Sequence, residues 1–135
     1  MPNNAPMLVV DDEPSDTYFL RRTLKEAGVP NPVIGCADGE EAVSFLESAT
    51  FGGQRPCLIF LDLKMPRMNG PEFLTWIRGQ SMFADVKVIV LSSSDQAADR
   101  ERALALGAHD YLVKFPPAAT LASRVGEALA SCAAK

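Results

Sequence analysis

The stretch that decides the fold is residues 57–70, CLIFLDLKMPRMNG. It opens with five apolar residues and runs directly into Asp62, with Pro66 and Gly70 following within eight positions. A strand that is apolar on both faces is typical of the centre of a parallel sheet, because helices cover both of its faces. The stretch therefore predicts a buried strand that ends in a carboxylate, with a loop directly behind it.

Four more apolar runs of strand length alternate with helical patterns along the chain: residues 7–10, 32–36, 87–91 and 110–113. Alternating strands and helices indicate a parallel sheet with helices on both faces. Pro32 and Gly35 suit an edge strand. We predict an α/β fold of the flavodoxin-like, doubly wound type: a (βα)5 chain with a five-stranded parallel sheet in the order 2-1-3-4-5.

The helical patterns between the strands give more local predictions. In the first helix, Tyr18, Leu20 and Leu24 are expected to form the buried stripe. Asp95 is expected to cap the fourth helix, and Gly107 to lie just past its end.

Size and composition favour one domain over residues 1–135, with a core from about residue 6 to 132. The net charge of −4 argues against a nucleic-acid partner. No apolar run approaches the ~20 residues that span a bilayer, and the N-terminus lacks the pattern of a signal peptide. These features predict a cytoplasmic protein with no membrane partner.

The cysteines and the histidine exclude other kinds of site. Three cysteines cannot all pair, and no two have metal-ligand spacing, so reduced thiols are predicted at Cys36, Cys57 and Cys132. The single histidine, His109, rules out a multi-histidine metal site and is expected in a solvated turn.

Polar side chains follow four of the five predicted strands. These residues are Asp11, Asp12, Asp62, Ser92 and Lys114. The carboxyl ends of parallel strands share one edge of the sheet, and ligands bind there where the strand order reverses. In the order 2-1-3-4-5 the reversal lies between the first and third strands, beside the three aspartates.

The combination of side chains predicts a phosphoryl-acceptor site. Three close carboxylates repel one another unless a proton or cation is present, and an oxygen-only set of ligands favours Mg²⁺. Lys114 supplies a positive charge for Asp62 or for phosphate oxygens, and Ser92 supplies a hydroxyl donor. Aspartate is also a side chain that can accept a phosphoryl group covalently.

Four segments carry a family resemblance: LVVDDEP, LDLKMPRMNG, VIVLSSS and GAHDYLVK. Ser92 lies 30 positions after Asp62, and Lys114 lies 22 positions after Ser92. In these motifs, and over nearly its whole length, the chain resembles the CheY-like receiver domain of the response regulators of bacterial two-component systems. We expect the stand-alone type, without an output domain.

The resemblance implies a role for each acidic residue. Asp62 would accept the phosphoryl group from a sensor histidine kinase or a histidine phosphotransfer protein. Asp12 and Asp62 would bind Mg²⁺ directly, Asp11 mainly through water, and the backbone carbonyl of Lys64 would be the third protein ligand.

The resemblance also implies a switch rather than an enzyme. Ser92 and Lys114 would hold the phosphoryl oxygens, and Tyr111 would turn inward when Ser92 moves. A surface of the fourth helix, fifth strand and fifth helix would then bind a downstream protein. A monomer or weak homodimer is expected.

Three alternatives use parts of the same pattern. A phosphatase or mutase of the haloacid dehalogenase type also has a strand-end aspartate and Mg²⁺, but it needs a second acid where this chain has Lys64. A flavin-binding module would need a Ser/Thr/Gly-rich loop after the first strand, where DDEP repels phosphate. A docking module without phosphate turnover is not favoured, because every acceptor group is retained.

The chain departs from the family after Lys114, where the usual proline is replaced by Phe115. A cis bond before a non-proline residue costs about 2.5–4 kcal/mol, against about 0.5–1 kcal/mol before proline. We therefore expect a trans Lys114–Phe115 bond, with any cis bond moved to Phe115–Pro116. Pro117 is expected at the first position of the last helix.

Overall fold

The structure is a computed structural model, and it describes residues 5–52, 55–65 and 67–133. Pro66, in the loop predicted behind Asp62, and the side chain of Cys132 lie outside the described part. Within it, no helix is both long enough and apolar enough to cross a membrane.

Five strands alternate with five helices along the described chain. The strands are β1 (Met7–Val10), β2 (Val33–Cys36), β3 (Leu58–Leu61), β4 (Lys87–Ser92) and β5 (Asp110–Val113). The helices are α1 (Pro14–Glu26), α2 (Gly39–Gly52), α3 (Gly70–Arg78), α4 (Ala97–Ala105) and α5 (Ala118–Ala133). A short 3₁₀ turn, Ser81–Phe83, precedes β4. The strands are parallel in the order β2-β1-β3-β4-β5, which confirms the predicted fold and places β2 at an edge.

The sheet separates two apolar cores, because successive side chains of a strand point to opposite faces. In β1, Leu8 and Val10 join the core that includes residues of α2, α3 and α4. Met7 and Val9 join the core that includes residues of α1 and α5. β1 and β3 are buried along their whole length, as expected for strands covered on both faces.

Two of the helix predictions are wrong. Tyr18 is 59% exposed, whereas Leu20 and Leu24 are buried. With 3.6 residues per turn, position 18 lies about 200° around the helix from position 20, so it cannot share that stripe. Asp95 does not cap α4: the helix begins after Gln96, whose backbone N–H donates to the hydroxyl of Ser94 (3.2 Å).

The bond between Lys114 and Phe115 is cis, so the predicted trans bond is wrong. The prediction considered only the preference of an isolated peptide bond. In the folded chain the Lys114 N–H donates to the carbonyl of Ser92 (2.8 Å), and the ring of Phe115 lies 5.6 Å from that of Phe19. These tertiary contacts, rather than the local preference, set the path of the chain. The prediction that Pro117 is the first residue of the last helix is wrong by one position, because α5 begins at Ala118. Pro117 lies directly before the helix, and its carbonyl accepts the N–H of Leu121 (3.0 Å).

Two of the three cysteine side chains and the histidine lie in the described part of the chain. Cys36 is buried with a free thiol, and Cys57 is partly buried. Burial, reinforced by Glu41 and Asp38, raises the pKa of the Cys36 thiol to about 12, which keeps it protonated and unreactive at neutral pH. His109 is exposed in the turn before β5.

Candidate functional site

The two buried acids of the site stand one residue past the ends of neighbouring strands. The backbone N–H of Asp62 donates to the carbonyl of Val10 (2.9 Å), and that of Asp11 donates to the carbonyl of Cys36 (3.0 Å). These bonds continue the sheet ladder beyond β3 and β1. The backbone beneath both carboxylates is therefore fixed by the sheet.

Asp11, Asp12 and Asp62 form one acidic cluster. Each offers a carboxylate oxygen, and the three oxygens lie within 4.8 Å of one another. Asp11 and Asp62 are only 9% exposed, whereas Asp12 is exposed to solvent. A hard divalent cation with several bound waters fits such a set, because all of its donors are oxygens and one side is open to water. The residues present therefore fit Mg²⁺.

Lys114 places its ammonium group inside this cluster, with its side chain only 7% exposed. Its Nζ lies 2.9 Å from Asp11 Oδ2, 2.8 Å from Asp16 Oδ2 and 3.6 Å from Asp62 Oδ1. Burial by itself lowers the pKa of Lys114, but the hydrogen bonds to Asp16 and Asp11 outweigh it and raise the pKa above its ordinary value. The ammonium is therefore charged at every physiological pH.

Asp62 has an environment that disfavours its charged form. Burial, above all, raises the pKa of Asp62 from 3.8 to about 6, and the charges of Asp11 and Asp12 add to the effect. Lys114 opposes this shift, as does the N–H of Leu63, which donates to Asp62 Oδ1 (2.9 Å). A cation in the cluster would relieve both the burial penalty and the repulsion.

Ser92 is the last residue of β4 and is buried. Its carbonyl accepts the N–H of Lys114 (2.8 Å), and its hydroxyl oxygen accepts the N–H of Ser94 (3.1 Å). The end of β4 is thus connected directly to the residue that carries the ammonium group.

Tyr111 is buried in the core, with its hydroxyl group donating to the carbonyl of Ser94 (2.8 Å). The Ser94 hydroxyl in turn donates to Asp99 Oδ2 of α4 (2.6 Å). Tyr111 therefore lies inward and connects β5 to the loop that begins α4. Its role as a switch stays a prediction.

The loop after Asp62 turns tightly into α3. A side-chain carbon at Gly70 would lie 2.6 Å from the carbonyl oxygen of Asp62, which leaves room only for glycine. The helix then begins with a capping box: the N–H of Glu72 donates to the Asn69 side chain (2.9 Å), and the N–H of Asn69 donates to the Glu72 carboxylate (3.0 Å). Lys64 lies in this loop and is exposed.

The same loop is attached to the start of α2. Arg67, which has a positive φ of 63°, forms an ion pair with the buried carboxylate of Asp38. The Arg67 Nε also lies 3.1 Å from Glu40 Oε1. The N–H of Gly39 donates to the carbonyl of Met68 (3.1 Å). We call the contacts of Arg67 with Asp38 and Glu40 the loop latch.

Sequence reasoning named most of the residues that meet at this edge of the sheet, but not the residues that support them. The structure brings Asp11, Asp12, Asp62 and Lys114 together, as expected. It adds Asp16, which lies in the first turn of α1 four positions after Asp12 and was therefore within reach of the same edge. The contacts of Ser94 with Tyr111 and of Arg67 with Asp38 had no sequence signal, because the partners lie 17 and 29 positions apart.

Comparisons with known proteins agree with this geometry. Residues 7–126 match the family description "Response regulator receiver domain". The chain is 36% identical over 115 residues to the alkaline phosphatase synthesis transcriptional regulatory protein PhoP of Bacillus subtilis, covering 84% of this chain and 44% of PhoP. The chain spans less than half the length of PhoP and of the other full-length regulators that it resembles.

Two solved structures are also similar. The chemotaxis protein CheY4 of Vibrio cholerae is 30% identical, with a TM-score of 0.79 and coverage of 93% of this chain and 99% of that one. The phosphorylated cyanobacterial phytochrome response regulator RcpA is 28% identical, with a TM-score of 0.77 and coverage of 93% and 91%. The fold, the acidic cluster and these matches lead to one conclusion: the chain belongs to the family of response regulator receiver domains of two-component systems.

Proposed function

We propose that this receiver domain is a phosphorylation switch in which Asp62 accepts a phosphoryl group from a histidine kinase or a histidine phosphotransfer protein. The main observation in support is the position of the Asp62 carboxylate. It ends a buried strand at the edge of the sheet, 3.6 Å from the ammonium of Lys114 and within 4.8 Å of two further carboxylates.

In the proposed transfer, a carboxylate oxygen of Asp62 attacks the phosphorus of a phosphohistidine. The new O–P bond forms as the N–P bond breaks, and the imidazole nitrogen keeps the electron pair and takes a proton from solvent. Hydrolysis reverses the state: water attacks phosphorus, the O–P bond to Asp62 breaks, and inorganic phosphate leaves. Lys114 and Ser92 would stabilise the phosphoryl oxygens through a charge and a hydroxyl donor.

We further propose that the acidic cluster holds Mg²⁺. Asp12 and Asp62 would bind the ion directly, Asp11 mainly through water, and the Lys64 carbonyl would complete the protein ligands. When bound, the ion neutralises charge on the carboxylates and on the incoming phosphoryl oxygens. The open, exposed side at Asp12 supports this assignment, because Mg²⁺ in proteins keeps several waters.

The readout would be a change in partner binding. Phosphorylation adds negative charge at Asp62 and draws Ser92 and Lys114 toward it, which would shift a two-state balance. The hydrogen bond from Tyr111 to Ser94 offers a path from this edge to α4. A downstream protein that binds α4, β5 and α5 would sense the shift.

The test is intact-mass measurement after incubation with acetyl phosphate and Mg²⁺. We expect the addition of one phosphoryl group, and its loss in Asp62→Asn. Asp95→Asn removes an exposed acid elsewhere and serves as the matched control, which should still be modified. A stable phosphoryl group on Asp62→Asn would refute the assignment of the acceptor.

The metal is tested separately by thermal unfolding with and without Mg²⁺. An ion that binds only the folded protein raises its unfolding temperature. Asp12→Ala should reduce the apparent affinity for Mg²⁺ by at least about 10-fold, while Asp95→Asn leaves it unchanged. Equal affinities in Asp12→Ala and the unmodified protein would remove Asp12 from the ligands.

A further inference from the structure

Lys114 has a partner that the phosphorylation site does not require. Its ammonium is hydrogen-bonded to Asp16 Oδ2 (2.8 Å) and Asp11 Oδ2 (2.9 Å), whereas Asp62 Oδ1 is farther away, at 3.6 Å. Asp16 belongs to α1, and its side chain is 24% exposed. A charged hydrogen bond at 2.8 Å is stronger than an ion pair at 3.6 Å, so the ammonium is held mainly by acids other than the acceptor.

A second contact joins the same two segments. Phe19 of α1 lies three residues after Asp16, and positions three apart share one face of a helix. Its ring centroid lies 5.6 Å from that of Phe115, the residue directly after Lys114. One face of α1 therefore contacts both Lys114 and its neighbour. The position of the ammonium is supported by an ionic and an aromatic contact.

We propose that Asp16 is a positioning residue that holds Lys114 away from Asp62 in the unphosphorylated protein, and so lowers the affinity of the site for a phosphoryl group. This inference rests on the proposed role of Asp62. A phosphoryl group on Asp62 needs the ammonium close to its oxygens, and Asp16 competes for it. Because Asp16 competes for the ammonium of Lys114, it stabilises the unphosphorylated state relative to the phosphorylated one.

The variant Asp16→Asn tests this competition. The amide is nearly the same size as the carboxylate but carries no charge, so Lys114 should move toward Asp62. Beryllofluoride, a mimic of the phosphoryl group, should then bind Asp16→Asn about 3- to 10-fold more tightly than the unmodified protein in the presence of Mg²⁺. Asp16→Glu keeps the charge and should return the affinity toward that of the unmodified protein.

Glu26→Gln is the matched control, since it removes one negative charge from the exposed end of the same helix. It should leave the affinity within about 2-fold, because a distant exposed charge is screened by salt. An equal gain in Glu26→Gln would show a general charge effect. An unchanged or weaker affinity in Asp16→Asn would overturn the inference.

A second measurement separates this inference from the proposed function. The ¹⁵N and ¹H shifts of the Lys114 ammonium are recorded by NMR without Mg²⁺ or phosphate. They should change in Asp16→Asn and stay unchanged in Glu26→Gln. If the unmodified protein fails to bind beryllofluoride, the function of Asp62 is refuted, and the Lys114 shifts alone decide whether Asp16 positions the ammonium.

Discussion

The carboxylate of Asp62 lies in an environment that is unfavourable for its charged form. It is nearly buried, and two more carboxylates lie within 4.8 Å. Burial raises the pKa of this carboxylate to about 6. Buried groups with shifted pKa values are concentrated at functional sites, where they can be poised for chemistry.

The first prediction follows from the sign of that shift. The folded protein binds a proton at Asp62 more tightly than the unfolded chain does, because the folded pKa of about 6 exceeds 3.8. The contribution of Asp62 to stability is therefore fully present below pH 3.8 and is lost as the pH rises through about 6. Without Mg²⁺, Asp62→Asn should raise the free energy of unfolding at pH 8 by roughly 2 kcal/mol.

This advantage should largely disappear near pH 3.5, where the carboxyl group is mostly protonated in both states. Urea unfolding at the two pH values measures it, and Asp95→Asn controls for the loss of one acid. If Asp62→Asn is instead less stable at pH 8, the attraction between Lys114 and the charged Asp62 outweighs the free-energy cost of burial and repulsion.

The loops that follow β3 and β4 are each bound to neighbouring helices and strands by side-chain contacts. The loop after β3 is attached to α2 by the loop latch and leads directly into α3 through the capping box at Asn69. The loop after β4 is attached to β5 by Tyr111 and to α4 by Asp99. The strand ends are therefore surrounded by loops with defined conformations.

Arg67 gives a prediction about the first of these loops. A side chain at its φ of 63° is strained, and glycine removes that strain at the cost of the ion pair with Asp38. Arg67→Ala loses the same ion pair and keeps the strain. Arg67→Gly should therefore be more stable than Arg67→Ala by about 1 kcal/mol in urea unfolding. Equal stabilities would mean that the loop relaxes to a negative φ once the latch is lost.

Tyr111 gives a prediction about the second loop. Tyr111→Phe keeps the buried ring and removes the hydrogen bond to the carbonyl of Ser94. The free energy of unfolding should fall by about 0.5–1.5 kcal/mol. Amide hydrogen exchange in the first turn of α4 should accelerate more than exchange in α2. Uniform acceleration in both helices would indicate global destabilisation instead of a local link.

The stability of the whole domain depends on the two apolar cores on either side of the sheet. Phe60 lies in the central strand β3 and is almost fully buried in the core shared with α1 and α5. Phe60→Ala should cost about 3–5 kcal/mol, a large part of the stability of a typical domain. Tyr18→Ala, at an exposed aromatic position on α1, should change stability by no more than about 0.5 kcal/mol.

Urea unfolding of both variants checks the contrast, with binding of beryllofluoride as a second readout of the folded state. A loss in Phe60→Ala as small as that in Tyr18→Ala would contradict the prediction.

Much of the fold was predictable because its signals are local. The strand and helix pattern depends on runs of 4 to 16 residues, and the parallel order follows from their alternation. The edge position of β2 followed from Pro32 and Gly35. Asp95 and Tyr18 were misplaced for a local reason as well, since each was assigned from its residue type without its exact angle or register on the helix.

The sequence by itself determined the doubly wound fold and the set of residues at the carboxyl ends of the strands, because strand ends follow from local patterning and parallel strands share an edge. Only the tertiary structure decided which carboxylate holds Lys114, which loop Arg67 attaches and how the chain passes Phe115. Those outcomes depend on distances between residues far apart along the chain: 98 positions separate Lys114 from Asp16, and 29 separate Arg67 from Asp38. Hydrogen bonds and ion pairs weaken over a few ångströms, so no pattern along the chain can rank such competing partners.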